Sequence, residues 1–276
     1  MYKVLDKDTI ELEIVPHIPL PKRGFAPTAP LFEIVNAILY KLKTGVQWEY
    51  LPTASLFAQK VLSWQSVYHH YRKWCRSGTF LDCWTGILKR YRDMFDLSSV
   101  DLDGSHTPAI RGGEAVEYQG RKKGRTTNAL FLTDRQGLPL AMSEPVSGNH
   151  NDLFEIEVQF EVVTATLDRA DIKTEGLFLN ADAGFDSKDF RSACARRGIN
   201  ANICFNKRNG SVDDRDEYFD QDLYAQRYAV ERTNAWIDSF RSLLNRFDTS
   251  VESWKGFNYL SFIVIALKKI KLKKFK

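Results

Sequence analysis

The spacing of apolar positions changes character along the chain. Leu31, Ile34, Val35, Ile38, Leu39 and Leu42 recur at the three- and four-residue interval of a helix, and Gly45 stands where a glycine ends one. Trp64, Val67, Tyr68, Tyr71 and Trp74 repeat that interval and predict a second helix over about 63–77. A third is predicted over about 80–95. Residues 1–29 are weakly patterned and carry Pro16, Pro19, Pro21 and Pro27, which reads as an extended lead-in. The first 95 residues thus predict a small all-helical domain.

Beyond Leu97 the pattern shortens. Ser98–Asp103 reads as a strand, and 128–133 and 138–143 flank the turn Asp134-Arg-Gln-Gly137 as a hairpin. A helix over 153–166, a strand over 176–181, a helix over 187–197 and a strand over 199–205 follow. Asn206–Asp222 is polar, includes Asp213-Asp-Arg-Asp-Glu217, and reads as a loop. Leu223–Phe247 reads as one long helix, and Trp254–Ile270 closes the chain. The order βββαβαβα predicts an α/β fold with a mixed sheet over residues 96–276, after the helical domain over 1–95.

Length and composition narrow the class. A chain of 276 residues exceeds the usual single-domain size and can bury a sizeable core. A hydrophobic fraction of 43% with 27% charged residues is that of an ordinary globular protein, and the net charge of +4 by itself says little about nucleic acid. The charge is uneven, because Lys268–Lys276 holds six lysines and no acid. Such a run is either a solvated tail or a phosphate contact. Cys75, Cys83, Cys194 and Cys204 form no CxxC pair and have no histidines at zinc spacing, which suits reduced thiols in a cytosolic protein. The N-terminus lacks the shape of a signal peptide, and the longest apolar run, within Phe257–Leu267, is too short to span a bilayer. An intracellular, soluble protein is expected.

The candidate chemistry lies in acids that the chain keeps far apart. Tyr224, Arg227 and Glu231 are separated by about one and two helical turns and so share a helix face. Asp103 and Asp182 each end a strand-like run. Two strand acids and one helix acid can converge only in a folded site, where they need a cation, and hard oxygen ligands suit Mg²⁺ or Mn²⁺. Each has a plainer reading. Asp101 shares a strand side with Asp103, so either is a ligand candidate. Asp186 competes with Asp182, although it is also placed to cap the helix that follows. Glu231 could simply pair with Arg227. His106 and His150 are either ligands, bases, DNA contacts or hydrogen-bonded structural residues. Trp64, Tyr68, Tyr71 and Trp74 read as core, with Arg72, Lys73 and Arg76 opposite. Arg121, Lys122, Lys123 and Arg125 form a basic run in the loop between the first strand and the hairpin, where they can touch phosphates without reading bases.

Further stretches carry a family likeness. They are Leu39-Tyr-Lys-Leu-Lys-Thr-Gly45-Val-Gln-Trp48-Glu-Tyr-Leu51-Pro52, Tyr71-Arg-Lys-Trp74, Asp103-Gly104-Ser105-His106, Asp134-Arg-Gln-Gly137-Leu-Pro139, Ser147-Gly148-Asn-His150-Asn-Asp152, Ala181-Asp182-Ala-Gly-Phe-Asp186, and Tyr224, Arg227 and Glu231 followed by Trp236, Phe240-Arg241 and Arg246-Phe247. In this order and at these distances the chain, from about Gly24 to Phe247, resembles bacterial insertion-sequence transposases of the DDE class, in the insertion-sequence-five group. The resemblance implies a ribonuclease H-like catalytic domain behind an N-terminal helical DNA-binding domain. It favours Asp103 over Asp101, through the Gly-Ser that follows. It implies that Asp103, Asp182 and Glu231 are catalytic and hold Mg²⁺ or Mn²⁺, two ions in all, for phosphoryl transfer. It assigns Tyr224 and Arg227 to a DNA phosphate. The wider class often has a lysine seven residues after the helix glutamate; here that position is Asp238, and Arg241 is the basic residue taken in its place. The implied partners are double-stranded terminal inverted repeats and target DNA, with at least a homodimer at synapsis, in a bacterial cytoplasm and at the nucleoid when DNA-bound. A ribonuclease H-like nuclease that cuts without joining, and a DNA-binding protein without catalysis, are the alternatives. The acid triad favours an enzyme.

Overall fold

The computed structural model describes residues 3–20, 27–209 and 219–274, and the chain divides into two units, Met1–Ile87 with Ile237–Lys276, and Leu88–Trp236. The lead-in is not extended as expected. It forms helix α1 (Lys7–Glu13), which starts where Asp6 accepts a hydrogen bond from the Thr9 amide at 2.9 Å and buries Ile10. Helix α2 (Leu31–Thr44) ends at Gly45, whose φ of 70° lets its amide reach the Lys41 carbonyl at 2.9 Å. A single turn, α3 (Thr53–Leu56), precedes α4 (Trp64–Arg76), which Ser63 caps. Val67, Tyr71 and Trp74 form the buried face of α4, while Tyr68 is 37% exposed, so only part of the aromatic stripe is core. Arg72 is not turned to solvent. It donates to the hydroxyls of Ser250 and Ser253, leaving Lys73 and Arg76 as the exposed cations there. Helix α5 (Thr79–Arg90) stops short of Phe95, which follows a separate 3₁₀ turn, Arg92–Met94.

The second unit is built on one mixed sheet. Strand β1 (Val100–Pro108) pairs antiparallel along its whole length with β3 (Gly124–Asp134), from Val100 opposite Asp134 to Pro108 opposite Thr126. It therefore outruns the strand expected to end at Asp103. Strand β2 (Glu117–Gln119) also pairs with β3, so Arg121, Lys122 and Lys123 lie on a hairpin turn and Arg125 within β3, rather than in a long loop. Strands β4 (Pro139–Met142) and β5 (Val146–Ser147) follow on β3. Helix α6 (Ile156–Arg169) packs against β4 and β3. Strand β6 (Phe178–Ala181) returns parallel to β1, helix α7 (Lys188–Arg196) follows, and β7 (Asn200–Ile203) lies parallel to β6. The order β2-β3-β1-β6-β7, antiparallel on one side of β1 and parallel on the other, is the flanked mixed sheet of the ribonuclease H-like class.

The helix expected over Leu223–Phe247 is broken. Helix α8 (Gln221–Tyr224) leads through a 3₁₀ turn, Ala225–Tyr228, into α9 (Ala229–Asp238), and a separate α10 (Arg241–Leu244) follows. The break coincides with a long-range contact. Lys43 at the end of α2 donates to both the carbonyl and hydroxyl oxygens of Ser239, at 2.9 and 3.0 Å, and Phe240 takes an extended conformation with its ring buried. No straight helix therefore carries both Arg227 and Arg241. The polar loop 206–222 falls partly outside the described residues, which omit 210–218. The last helix, α11 (Val251–Lys274), buries Trp254, Phe257, Leu260 and Ile263 and runs on through most of the lysine-rich end. Lys271 pairs with Asp6 at 2.8 Å, so that end belongs to a packed helix rather than to a loose tail. Among the described residues no helix is long and apolar enough to cross a membrane.

One glycine controls how α9 meets the sheet. Gly137, in the β3–β4 turn, has φ of 82°, and a Cβ there would stand 2.5 Å from the Ala229 carbonyl oxygen. Thr233 donates its hydroxyl to the Gly137 carbonyl. Gly137→Ala should cost about 2 kcal/mol, from left-handed strain plus the collision. Urea unfolding measures it, and an unchanged midpoint would show that α9 does not need this close approach.

Candidate active site

The sheet brings separated acids together. The parallel register of β1 and β6 sets Asp101 beside Asn180 and so places Asp182 just past the end of β6. Asp182 caps the 3₁₀ turn Ala183–Phe185, its Oδ1 accepting from the Gly184 amide at 2.7 Å. Glu231 is exposed in the first turn of α9. Asp103 is half-buried, and its carboxyl is pushed up to about 7. Burial is the main cause, Arg227 opposes it, and the charges of Asp182, Glu231 and Asp152 add to the rise. The other two candidate acids thus both act on Asp103. Arg227 takes Asp103 as its ion partner, Nη1 to Oδ1 at 3.8 Å, rather than Glu231 one turn along. Its guanidinium also lies over the Tyr224 ring, 5.8 Å from the centroid.

Asp101 does something different from Asp103. It is 1% exposed and accepts from Asn180 Nδ2 at 2.8 Å. Asn180 Oδ1 in turn accepts from Asn202 Nδ2 at 2.8 Å. Asn202 completes the row by exchanging two hydrogen bonds with the backbone of Asp220, at 2.8 and 2.9 Å. Asp220 caps α8 through the Leu223 amide. A buried side-chain row therefore runs from β1 through β6 and β7 to the helical segment that bears Tyr224 and Arg227. Asp186 is committed too, but not as a helix cap. It binds Arg191 through two guanidinium nitrogens at 2.9 and 3.0 Å and accepts the Asn206 amide, while Ser187 caps α7.

Sequence reasoning gave Asp152 no role. Its Oδ1 accepts from Asn128 Nδ2 at 2.8 Å, and it lies so close to β1 that a Cβ on Gly104 would be 2.0 Å from that oxygen. The glycine after Asp103 was the available signal, since a side chain there would exclude the carboxylate. His106 shares a hydrogen bond with Thr126 Oγ1 at 3.2 Å, and His150 stacks on Phe154 at 3.6 Å. Arg121, Lys122, Lys123 and Arg125 are all exposed, as is Arg241 at the start of α10. Burial pushes the Cys75 and Cys194 thiols up to about 12, which makes them unreactive.

The donor set at Asp103 is chemically suited to a hard divalent cation, being a buried carboxylate on which the charges of Asp182, Glu231 and Asp152 also act. Among the described residues no three acid, histidine or cysteine side chains are yet drawn close enough to enclose an ion. These features define a ribonuclease H-like α/β protein in which the charges of Asp182 and Glu231 reach the Asp103 carboxyl. Sequence comparison narrows that class. Residues 95–263 match the family described as "Transposase DDE domain", and residues 12–84 match the family described as "Putative transposase of IS4/5 family". The chain belongs to the family of DDE transposases.

No curated protein matches the chain significantly. Among solved structures it is similar to a Mos1 strand transfer complex, at 13% identity over 89% of this chain and 81% of that one, with a TM-score of 0.33. It is also similar to a piggyBac transposase synaptic complex with hairpin DNA, at 11% identity over 92% and 70%, with a TM-score of 0.46. A Mos1 mariner paired-end complex with Mn matches at 13% identity over 94% and 85%, with a TM-score of 0.30.

The raised Asp103 gives a pH signature for the metal-free protein. Its folded pKa of about 7 exceeds the unfolded value of about 4, so between those limits the folded state holds more protons. Stability should therefore fall as pH rises through that window and change no further above it from this group. Asp103→Asn should raise stability at pH 8 by about 1–2 kcal/mol and make little difference near pH 4. Chemical denaturation at both pH values in the presence of chelator measures this. Equal effects at the two pH values would mean that Asp103 ionises normally.

Proposed function

We propose that this transposase binds the terminal inverted repeats of an insertion sequence, cleaves the element ends and joins them to target DNA. The observation that supports the reading is that the charges of Asp182 and Glu231, carried on separate segments, both act on the Asp103 carboxyl. Asp103, Asp182 and Glu231 would hold Mg²⁺ or Mn²⁺, two ions in all. The chemistry a pair of such ions supplies is activation of the attacking oxygen and stabilisation of the leaving one. The protein's own part is to hold the DNA so that one phosphate stays in place through both cutting and joining. Tyr224 and Arg227, beside Asp103, are suited to that phosphate, because a guanidinium can grip two oxygens at once. Arg121, Lys122, Lys123 and Arg125 offer exposed charge to the backbone further out, and Arg241 is a separate exposed candidate. The helical N-terminal region would grip the inverted repeat. Two ends must be paired, so at least a homodimer is implied, acting in the bacterial cytoplasm on nucleoid DNA.

Purified protein incubated with cognate ends and Mg²⁺, its products mapped on a sequencing gel, tests the reading. Joined products support transposition, and cut ends alone would mean a nuclease. Asp103→Ala, Asp182→Ala and Glu231→Ala should each reduce cleavage to background while leaving end binding nearly intact, since affinity comes from phosphate contacts elsewhere. Asp101→Asn should be far milder. Normal cleavage by Asp182→Ala would defeat the triad assignment.

Cutting should need Mg²⁺ or Mn²⁺, with Ca²⁺ supporting binding but not turnover, because Ca²⁺ prefers looser, higher-coordinate shells. Robust cleavage in excess chelator would rule the metal mechanism out.

A further inference from the structure

Arg227 stands where the acids call for a cation. Its Nη1 lies 3.8 Å from Asp103 Oδ1, and that nitrogen is buried with no hydrogen-bond partner. The distance is longer than the roughly 2.7–2.9 Å of a charge-assisted hydrogen bond, so this nitrogen is attracted to Asp103 without being bonded to it, while the guanidinium leans on the Tyr224 side chain. A buried, unpaired donor is costly, and the attraction of the surrounding carboxylates is what offsets it. Asp101 and Asp103 act on the guanidinium from β1, and Asp182 and Glu231 add their charge at Asp103. The backbone beneath is correspondingly lightly held. Arg227 sits in the 3₁₀ turn Ala225–Tyr228 between α8 and α9, where hydrogen-bond geometry is poorer than in an α-helix. The side chain is 21% exposed, which leaves it a way out.

The geometry points to a competition in which the Arg227 guanidinium is the resident counter-charge of the Asp103 carboxylate, held in place until a divalent cation takes over that oxygen. This rests on the reading that metal binds at Asp103 and that Arg227 grips DNA phosphate. A phosphate arriving at the site draws the guanidinium from Asp103 and vacates the oxygen for the ion. DNA and metal then favour one another by the same factor, whichever binds first. The consequence is a protein that takes up its ions poorly without DNA, and so does not cut away from its own ends.

Free Mn²⁺, measured by electron paramagnetic resonance while the full chain is titrated, reads this without any turnover. The parent should bind Mn²⁺ weakly alone and roughly tenfold more tightly with a pre-cleaved end duplex. Arg227→Gln alone should bind roughly tenfold more tightly than the parent and gain little from DNA. Arg227→Lys keeps a charge at that position and should stay near the parent. If Arg227→Gln, still folded by circular dichroism, binds no tighter than the parent, the competition is wrong. It is equally wrong if Arg227→Lys binds as tightly as Arg227→Gln. Asp103→Asn separates this idea from its foundation. Loss of Mn²⁺ binding in Asp103→Asn without a gain in Arg227→Gln removes the competition alone. Unchanged binding in Asp103→Asn removes the metal reading of the site.

Discussion

The parallel pairing of β1, β6 and β7, pinned by the row Asp101, Asn180, Asn202 and the Asp220 backbone, is the constraint on which the site depends. A sheet whose residues alternate faces tolerates no slip of one position, because every side chain would change sides. Buried amides raise the cost of such a slip further, since each would lose its partner in a dry environment. The row therefore fixes where β1 ends relative to β6, and with it where Asp103 stands relative to Asp182. Because Asp220 caps α8, the same row also sets where the segment with Tyr224 and Arg227 begins. Asp101 serves geometry while Asp103, two residues along the same strand, faces the other acids.

The site concentrates negative charge that the fold only partly balances. Burial alone raises Asp103, and three more acids raise it further against a single loosely placed guanidinium. An arrangement optimised for stability would pair these groups or replace them with apolar ones. The acids at Asp101 and Asp134 are also pushed up, each to about 6, yet both are held by hydrogen bonds from defined donors. The contrast separates groups that hold the fold from groups held available for chemistry.

How much could be read from residues alone depended on where the cause lay. Helices α2 and α4 were legible because both their apolar spacing and their end signals, Gly45 and Ser63, are local. Asp182 could be picked out because an acid just past a short apolar strand marks a sheet edge, and the action of its charge and that of Glu231 on Asp103 comes from the fold. Strand β1 looked shorter than it is, because Ser105, His106 and Thr107 are polar and their pairing comes from β3. The break before Phe240 was hidden because Lys43, far away in sequence, captures the Ser239 carbonyl. Helix α1 was obscured by the prolines that follow it. Asp152 could not be placed, because what admits it is an absent side chain on another strand.

That absent side chain also bears on the routes by which such a sequence can change. The bare backbone at Gly104 is a wall against which the Asp152 carboxylate rests, within 2.0 Å of where a Cβ would be. A lineage can shorten or lose the acid first and then accept a side chain on the strand. The reverse order passes through an intermediate in which two groups claim one volume. The two positions are thus coupled, and a side chain at Gly104 would require the Asp152 carboxylate to leave its place against the strand.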